Sequence, residues 1–175
     1  MMNKGYTLIE LMVVIGIMTL IIGSGMTIFY QSLKSGSKID FESFMDSSSR
    51  VIEGSMADLV GYSKVVSVGS YGQSDCLDAG SGGVTGVSLT INVDDVLTRY
   101  SLSGDSIASV SGGLTQLVNQ EGLGVSGLSF NWICLGGERE KVLVNYTASA
   151  EKDGQPVAIT NDYSFEITVK NSGYY

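Results

Sequence analysis

From Leu11 to Leu33 the chain carries no formal charge, and this run constrains its fold more than any other feature. As an α-helix, Leu11 to Tyr30 spans about 30 Å, which is about the hydrocarbon thickness of a bilayer. Gly16, Gly23 and Gly25 fall inside it. Each would cost about 1 kcal/mol against alanine in a helix interior exposed to water. Between packed helices the same glycines allow close approach. The run therefore predicts a helix surrounded by lipid or by other helices.

A secretory signal peptide places its cleavage site after the apolar stretch, and the stretch is then lost. Here the basic Lys4 and the small Gly5 both precede it. No Ala-x-Ala-like site follows it closely, Ile22-Gly23-Ser24-Gly25 being a weak rival, so the helix is expected to be retained. Glu10 is the only acidic residue before Asp40. Thr7-Leu8-Ile9-Glu10 fits a capping box, in which hydroxyl and carboxylate satisfy orphan amides at a helix start. An acid there is also favoured by the helix dipole. In lipid a carboxylate is costly unless paired, which makes Glu10 a candidate for an assembly contact as well as a cap.

Lys4-Gly5-Tyr6-Thr7-Leu8-Ile9-Glu10 followed by an apolar helix resembles the prepilin signal of type IV pilins and pseudopilins. The resemblance implies that a prepilin peptidase cuts between Gly5 and Tyr6 and methylates the new amine of Tyr6. The helix would first anchor the subunit in the cytoplasmic membrane and later pack in a filament core. There Glu10 would meet the terminal amine of Tyr6 on a neighbouring subunit and set axial register. The implied partners are the peptidase, other pilin or pseudopilin subunits and an assembly platform in the membrane. Tyr6 stands where phenylalanine is usual but keeps the ring. The helix-kinking proline common in that family is missing, since the single proline is Pro156.

Past the anchor about 145 of the 175 residues remain, enough for one domain. Lys4 and Glu10 cancel, so the net charge of −8 falls entirely on this part. That balance opposes a broad nucleic-acid footprint, which needs clustered basic residues. With no histidine, Ser-His-Asp and Cys-His chemistry and His-based metal sites are excluded. Glu138 and Glu140 share a turn with Arg139 and Lys141, which reads as solvated charge; no enzyme and no cofactor are expected. Asp75, Asp78, Asp94 and Asp95 gather oxygen ligands along the chain but lack the Asp-x-Asp-x-Asp-Gly pattern of a calcium loop, so no metal site is expected. Cys76 and Cys134 leave two readings open. In an oxidising compartment they would form a disulfide closing a long loop; otherwise they are separate buried thiols.

Phe41, Phe44, Met45, Ser48, Ile52, Met56 and Leu59 recur at helical spacing, with Asp46, Arg50, Glu53 and Asp58 mostly opposite. This predicts an amphipathic continuation of the anchor to about Gly61, with Ser35-Gly36-Ser37 as a weak point. Beyond Tyr62 the period becomes two. Strands are expected at 64–68, 87–93, 97–102, 106–110, 128–133, 142–149 and 163–169, with Asp75–Thr85 as a glycine-rich surface loop. The runs 97–102 and 106–110 make the clearest hairpin, and 142–149 is expected to pair with 163–169. Trp132 should sit in a strand, and Tyr174-Tyr175 at a frayed end.

The expected class is thus α+β: a long N-terminal helix, apolar anchor then amphipathic half, packed on an antiparallel β-sheet domain. The divisions are a leader at 1–5, a membrane and polymerisation helix at 6–33, an amphipathic half at 34–61 and a globular domain at 62–175. The order Val96–Ser101, Ser103-Gly104-Asp105-Ser106-Ile107, Val125–Trp132, a hairpin and Ser164–Asn171 is similar to J-type pseudopilins and W-type minor pilins. What the resemblance implies is a structural subunit. A filament-tip adhesin or DNA-uptake pilin is the alternative.

Overall fold

The computed structural model describes residues 7–135, 138–150 and 159–170. One long helix, α1, spans Leu8–Tyr62 and is assigned without a break through Ser35-Gly36-Ser37, where the sequence suggested a weak point. The chain divides into two compact units, Met1–Glu42 and Ser43–Tyr175.

In the first unit the apolar side chains of α1 are exposed, among them Leu20, Ile21, Ile28 and Phe29. This helix is long and apolar enough to cross a membrane. Three of its hydroxyls are turned onto its own backbone. Thr19 donates to the Gly16 carbonyl at 2.8 Å, Ser24 to Ile21 at 3.0 Å and Thr27 to Gly23 at 3.0 Å. A hydroxyl used in this way needs no water, which suits a helix in hydrocarbon.

The second unit begins with the remaining turns of α1. Met45, Ser48, Ser49, Ile52, Met56 and Val60 are buried along one face. Leu59, expected in this stripe, is instead 43% exposed. The covered row runs at four-residue steps through Ile52, Met56 and Val60, and Leu59 lies on its flank.

The antiparallel β domain that follows is built of two sheets. The strands of the first are β1 (Lys64–Val68), β3 (Ser88–Val93), β4 (Val96–Ser103), β5 (Ser106–Ser111) and β6 (Leu114–Leu117), hydrogen-bonded in that order. The second orders β2 (Val84–Gly86), β7 (Leu123–Ile133), β8 (Lys141–Ala150) and β9 (Ile159–Thr168). The expected hairpin is β4–β5, with Leu102 opposite Ile107. The expected long-loop pair is β8–β9, with Tyr146 opposite Tyr163. Pro156 lies outside the described residues.

Strand β8 alternates strictly, burying Val142, Val144, Tyr146, Ala148 and Ala150. Its partner β7 begins at Leu123, five positions before the expected start at Leu128. A bulge between Ser126 and Ser129 shifts its phase, so the buried residues change from Leu123 and Val125 to Leu128, Phe130 and Trp132. Gly127 supplies the positive φ of +63° that the bulge uses.

Helix and second sheet are joined by polar contacts within the unit. The Ser49 and Tyr146 hydroxyls lie 2.6 Å apart in the interior. Tyr163 donates to the Asp46 carboxylate at 2.8 Å, and the Lys170 amide to the Gly61 carbonyl at 2.7 Å. Tyr146 stacks on Tyr163 with centroids 5.6 Å apart, and the edge of Phe165 closes the cluster at 6.4 Å. Part of this fold is therefore a tyrosine-rich seam rather than a purely aliphatic one.

Candidate functional site

The candidate assembly site is the start of α1. Thr7 accepts from the Glu10 amide, through its hydroxyl at 3.4 Å and its carbonyl at 3.1 Å. That is the Thr7 half of a capping box. The Glu10 side chain is exposed. Gly5 and Tyr6, read as the processing and methylation positions, lie outside the described residues, as do Tyr174 and Tyr175. An exposed carboxylate one turn into an apolar helix can receive a cation from another molecule, and such a partner would offset the cost of burying the charge.

A second cluster was not legible as a site. The stretch Asp75–Thr85, expected as a loop, instead contributes to the short helix α2 (Gln73–Ala79), a 3₁₀ turn at Gly80–Gly82 and the start of β2. The Asp75 carboxylate accepts the Gly72 amide at 2.8 Å and so caps α2. Cys76 in α2 is bonded to Cys134 just past β7, with Cα atoms 5.5 Å apart. Trp132 is fully buried, and its indole N–H donates to Glu140 Oε2 at 3.1 Å. Gln73 Nε2 donates to Glu140 Oε1 at 3.4 Å. Glu140 is 3% exposed, which corrects its reading as a solvated charge. Burial pushes its carboxyl above the usual range, against the opposing hydrogen bonds from Trp132 and Gln73 and the charge of Lys64. The group is a structural acceptor: both donors to it come from elements that the disulfide also ties.

Asp94 and Asp95, at φ +48° and +67°, form the two-residue turn between β3 and β4. Among the described residues no group of three or more His, Cys, Asp or Glu is placed to hold a metal ion. A cavity of about 660 Å³ opens beside the start of β7, lined by Asp105, Ser106, Asn119, Glu121, Gly122 and Ser149 among others. Asn119 is spent on the backbone, accepting from Ile107 at 2.9 Å and donating to Leu123 at 2.7 Å. Carboxylates, hydroxyls and an engaged amide make a polar recess without a nucleophile–base pair.

Residues 1–26 match the family model for the prokaryotic N-terminal methylation motif. No curated protein and no solved structure matches the chain significantly. The chain thus combines a prepilin-type methylation motif with a type IV pilin-like α+β architecture, in which a long N-terminal helix packs its second half on antiparallel sheets.

Proposed function

We propose that the chain is a minor pilin or pseudopilin that enters a type IV pilus or a type II secretion pseudopilus through α1. The observation that carries this reading is the methylation motif over residues 1–26, set on a helix apolar enough to span a bilayer. Prepilin peptidase would cleave between Gly5 and Tyr6 and methylate the Tyr6 amine. The processed subunit would sit in the cytoplasmic membrane with its β domain outside, divided as leader 1–5, anchor 6–33, amphipathic half 34–61 and domain 62–175. Other subunits and the assembly platform would then draw it into the filament, Glu10 receiving a neighbour's terminal amine. Along the sequence, the order of the strand-like runs resembles that of the J-type pseudopilin and W-type minor pilin group.

Tandem mass spectrometry of the N-terminal peptide tests this directly. A chain beginning with methylated Tyr6 is expected, and Gly5→Arg should abolish the cut. An unmodified chain retaining Met2-Asn3-Lys4 in cells with an active peptidase would overturn the reading. Intact mass also separates it from an uncleaved single-pass protein.

A further inference from the structure

The uncharged run of α1 ends at Leu33, and the residues around that end are patterned. Phe29 and Tyr30 are the only aromatic residues between Tyr6 and Phe41, and both are exposed. Lys34 and Lys38, exposed as well, are the only basic residues between Lys4 and Arg50. Tyr30, Lys34 and Lys38 follow one another at four-residue steps within α1. Each step turns only about 40° around the helix axis, so the three share one face.

Length sets the depth of that face. Lys34 lies 24 positions beyond Glu10, roughly 36 Å along a helix, against about 30 Å of hydrocarbon. With Glu10 at one border of the apolar layer, Lys34 passes the opposite border. Tyr30, one turn earlier, falls at that border, the level at which amphipathic rings settle. The Cα–Cβ bonds of a helix tilt toward its N-terminus, so the stems of both lysines set out back toward the bilayer. Lys38 also meets Glu42 at 3.5 Å, both side chains being largely exposed. A surface pair contributes little, and lysine ahead of the acid is the weaker order on a helix. Lys38 can therefore exchange this carboxylate for a phosphate.

We propose that Tyr30, Lys34 and Lys38 bind the headgroups of anionic phospholipids and so hold the chain at one depth, a proposal that rests on reading α1 as a membrane span. The span identifies the occupant of this face. Positions one to two turns beyond 20 residues of apolar helix lie in the headgroup layer, where the lipid phosphates are. The two ammonium charges identify the lipid. A zwitterionic headgroup carries its own cation beside the phosphate, whereas an anionic one leaves its charge for the lysines. Their four-carbon stems reach down along the helix while the charged ends stay at the phosphates.

Full-length protein reconstituted in vesicles of phosphatidylcholine and phosphatidylglycerol tests the proposal. Spin-labelled probes of each lipid report which one is motionally restricted at the protein. Wild type should restrict phosphatidylglycerol several-fold over phosphatidylcholine, and high salt should lower that excess. The double variant Lys34→Gln/Lys38→Gln should lose most of it, while Lys34→Arg/Lys38→Arg should keep it. Lys4 is present in all three chains and cannot cause the difference. Equal selectivity in wild type and the glutamine variant would overturn the assignment and leave the lysines to the carboxylates of a neighbouring protein. Flotation of the same vesicles separates the two possible failures. A chain that does not float with lipid overturns the membrane span itself; one that floats without selectivity overturns the headgroup contact alone.

Discussion

The indole of Trp132 donates to the carboxylate of Glu140 across 3.1 Å inside the β domain, where Glu140 is only 3% exposed. The pair fixes the stretch after β7 at the same place where Cys76 and Cys134 fix α2. Burial raises the Glu140 pKa, so the folded state holds its proton to higher pH than the unfolded chain does. Its contribution to stability is therefore complete below the ordinary carboxylate pKa. The contribution is lost as pH rises through the elevated folded value. Melting temperatures across that window should fall more steeply for the wild type than for Glu140→Gln, which carries no charge to desolvate. Glu140→Ala should be less stable at every pH, by about 1–3 kcal/mol, because the Trp132 N–H is left buried without an acceptor. Parallel wild-type and Glu140→Gln profiles would show that this carboxyl does not set the pH dependence.

Reduction should act on the same corner. The Cys76–Cys134 bridge spans 58 positions. On the chain-entropy model a loop of that order is worth about 4 kcal/mol. Thermal melts with and without reductant should differ accordingly, and hydrogen exchange should rise first in Gln73–Ala79, a helix too short to persist alone. Unchanged melting after complete thiol titration would refute this role.

How much of this was readable beforehand depends on period and length. The strand at 64–68, the β4–β5 hairpin and the β8–β9 pair were legible because short runs of strand-forming residues are set off by turn chemistry, even though the register of β1 shifts between Val65 and Ser67. The beginning of β7 was hidden by the bulge at Gly127, which reverses the alternation in mid-strand. Helix α2 has seven residues, fewer than a helical period needs to show itself, and owes its position to an aspartate cap and a disulfide. Glu140 was misread because its neighbours Glu138, Arg139 and Lys141 are charged; the acceptor that a buried indole requires is a tertiary fact. Of the assembly site, the motif and the Thr7 cap could be read directly, because both are local in sequence.

The seam between α1 and the second sheet should register in tyrosine chemistry. Tyr163 is pushed up to about 12, by burial first and then by its bond to the Asp46 carboxylate. Tyr146 is raised by burial as well, against the hydrogen bond from Ser49. Both phenols should stay protonated past the pH at which exposed tyrosines ionise, and the domain should lose stability as pH rises through their folded values. Ultraviolet titration should show a late tyrosinate phase that coincides with unfolding. Tyr146→Phe should cost about 1 kcal/mol, since the Ser49 hydroxyl loses its partner in the interior.

Glu10→Ala should leave membrane insertion and cleavage intact while lowering recovery of the subunit in sheared filament fractions. If the proposed pairing holds, removal of the carboxylate would strand the neighbour's terminal amine in an apolar core, the costly half of a broken buried pair. Glu10→Asp keeps the charge on a shorter arm and should recover part of the loss. Equal recovery of Glu10→Ala and wild type would show that the carboxylate is a helix cap and nothing more.

Cutting the chain at Ser32 separates the apolar anchor from the domain. The buried face of α1 begins at Met45 and continues through Ile52, Met56 and Val60, so a chain starting at Ser32 retains every one of these residues. It also retains Ser49 and Asp46, the polar partners of Tyr146 and Tyr163. What it loses is the stretch whose apolar side chains are exposed. The shortened chain should therefore be soluble without detergent, show mixed helix and sheet by circular dichroism and unfold cooperatively with its disulfide intact. Its near-ultraviolet spectrum should carry a fixed Trp132 signal, since the indole is held by Glu140 and by packing. Aggregation with a featureless near-ultraviolet spectrum would mean that the helix face from Met45 to Val60 does not find its sheets without the anchor, and that the second unit is not a folding unit.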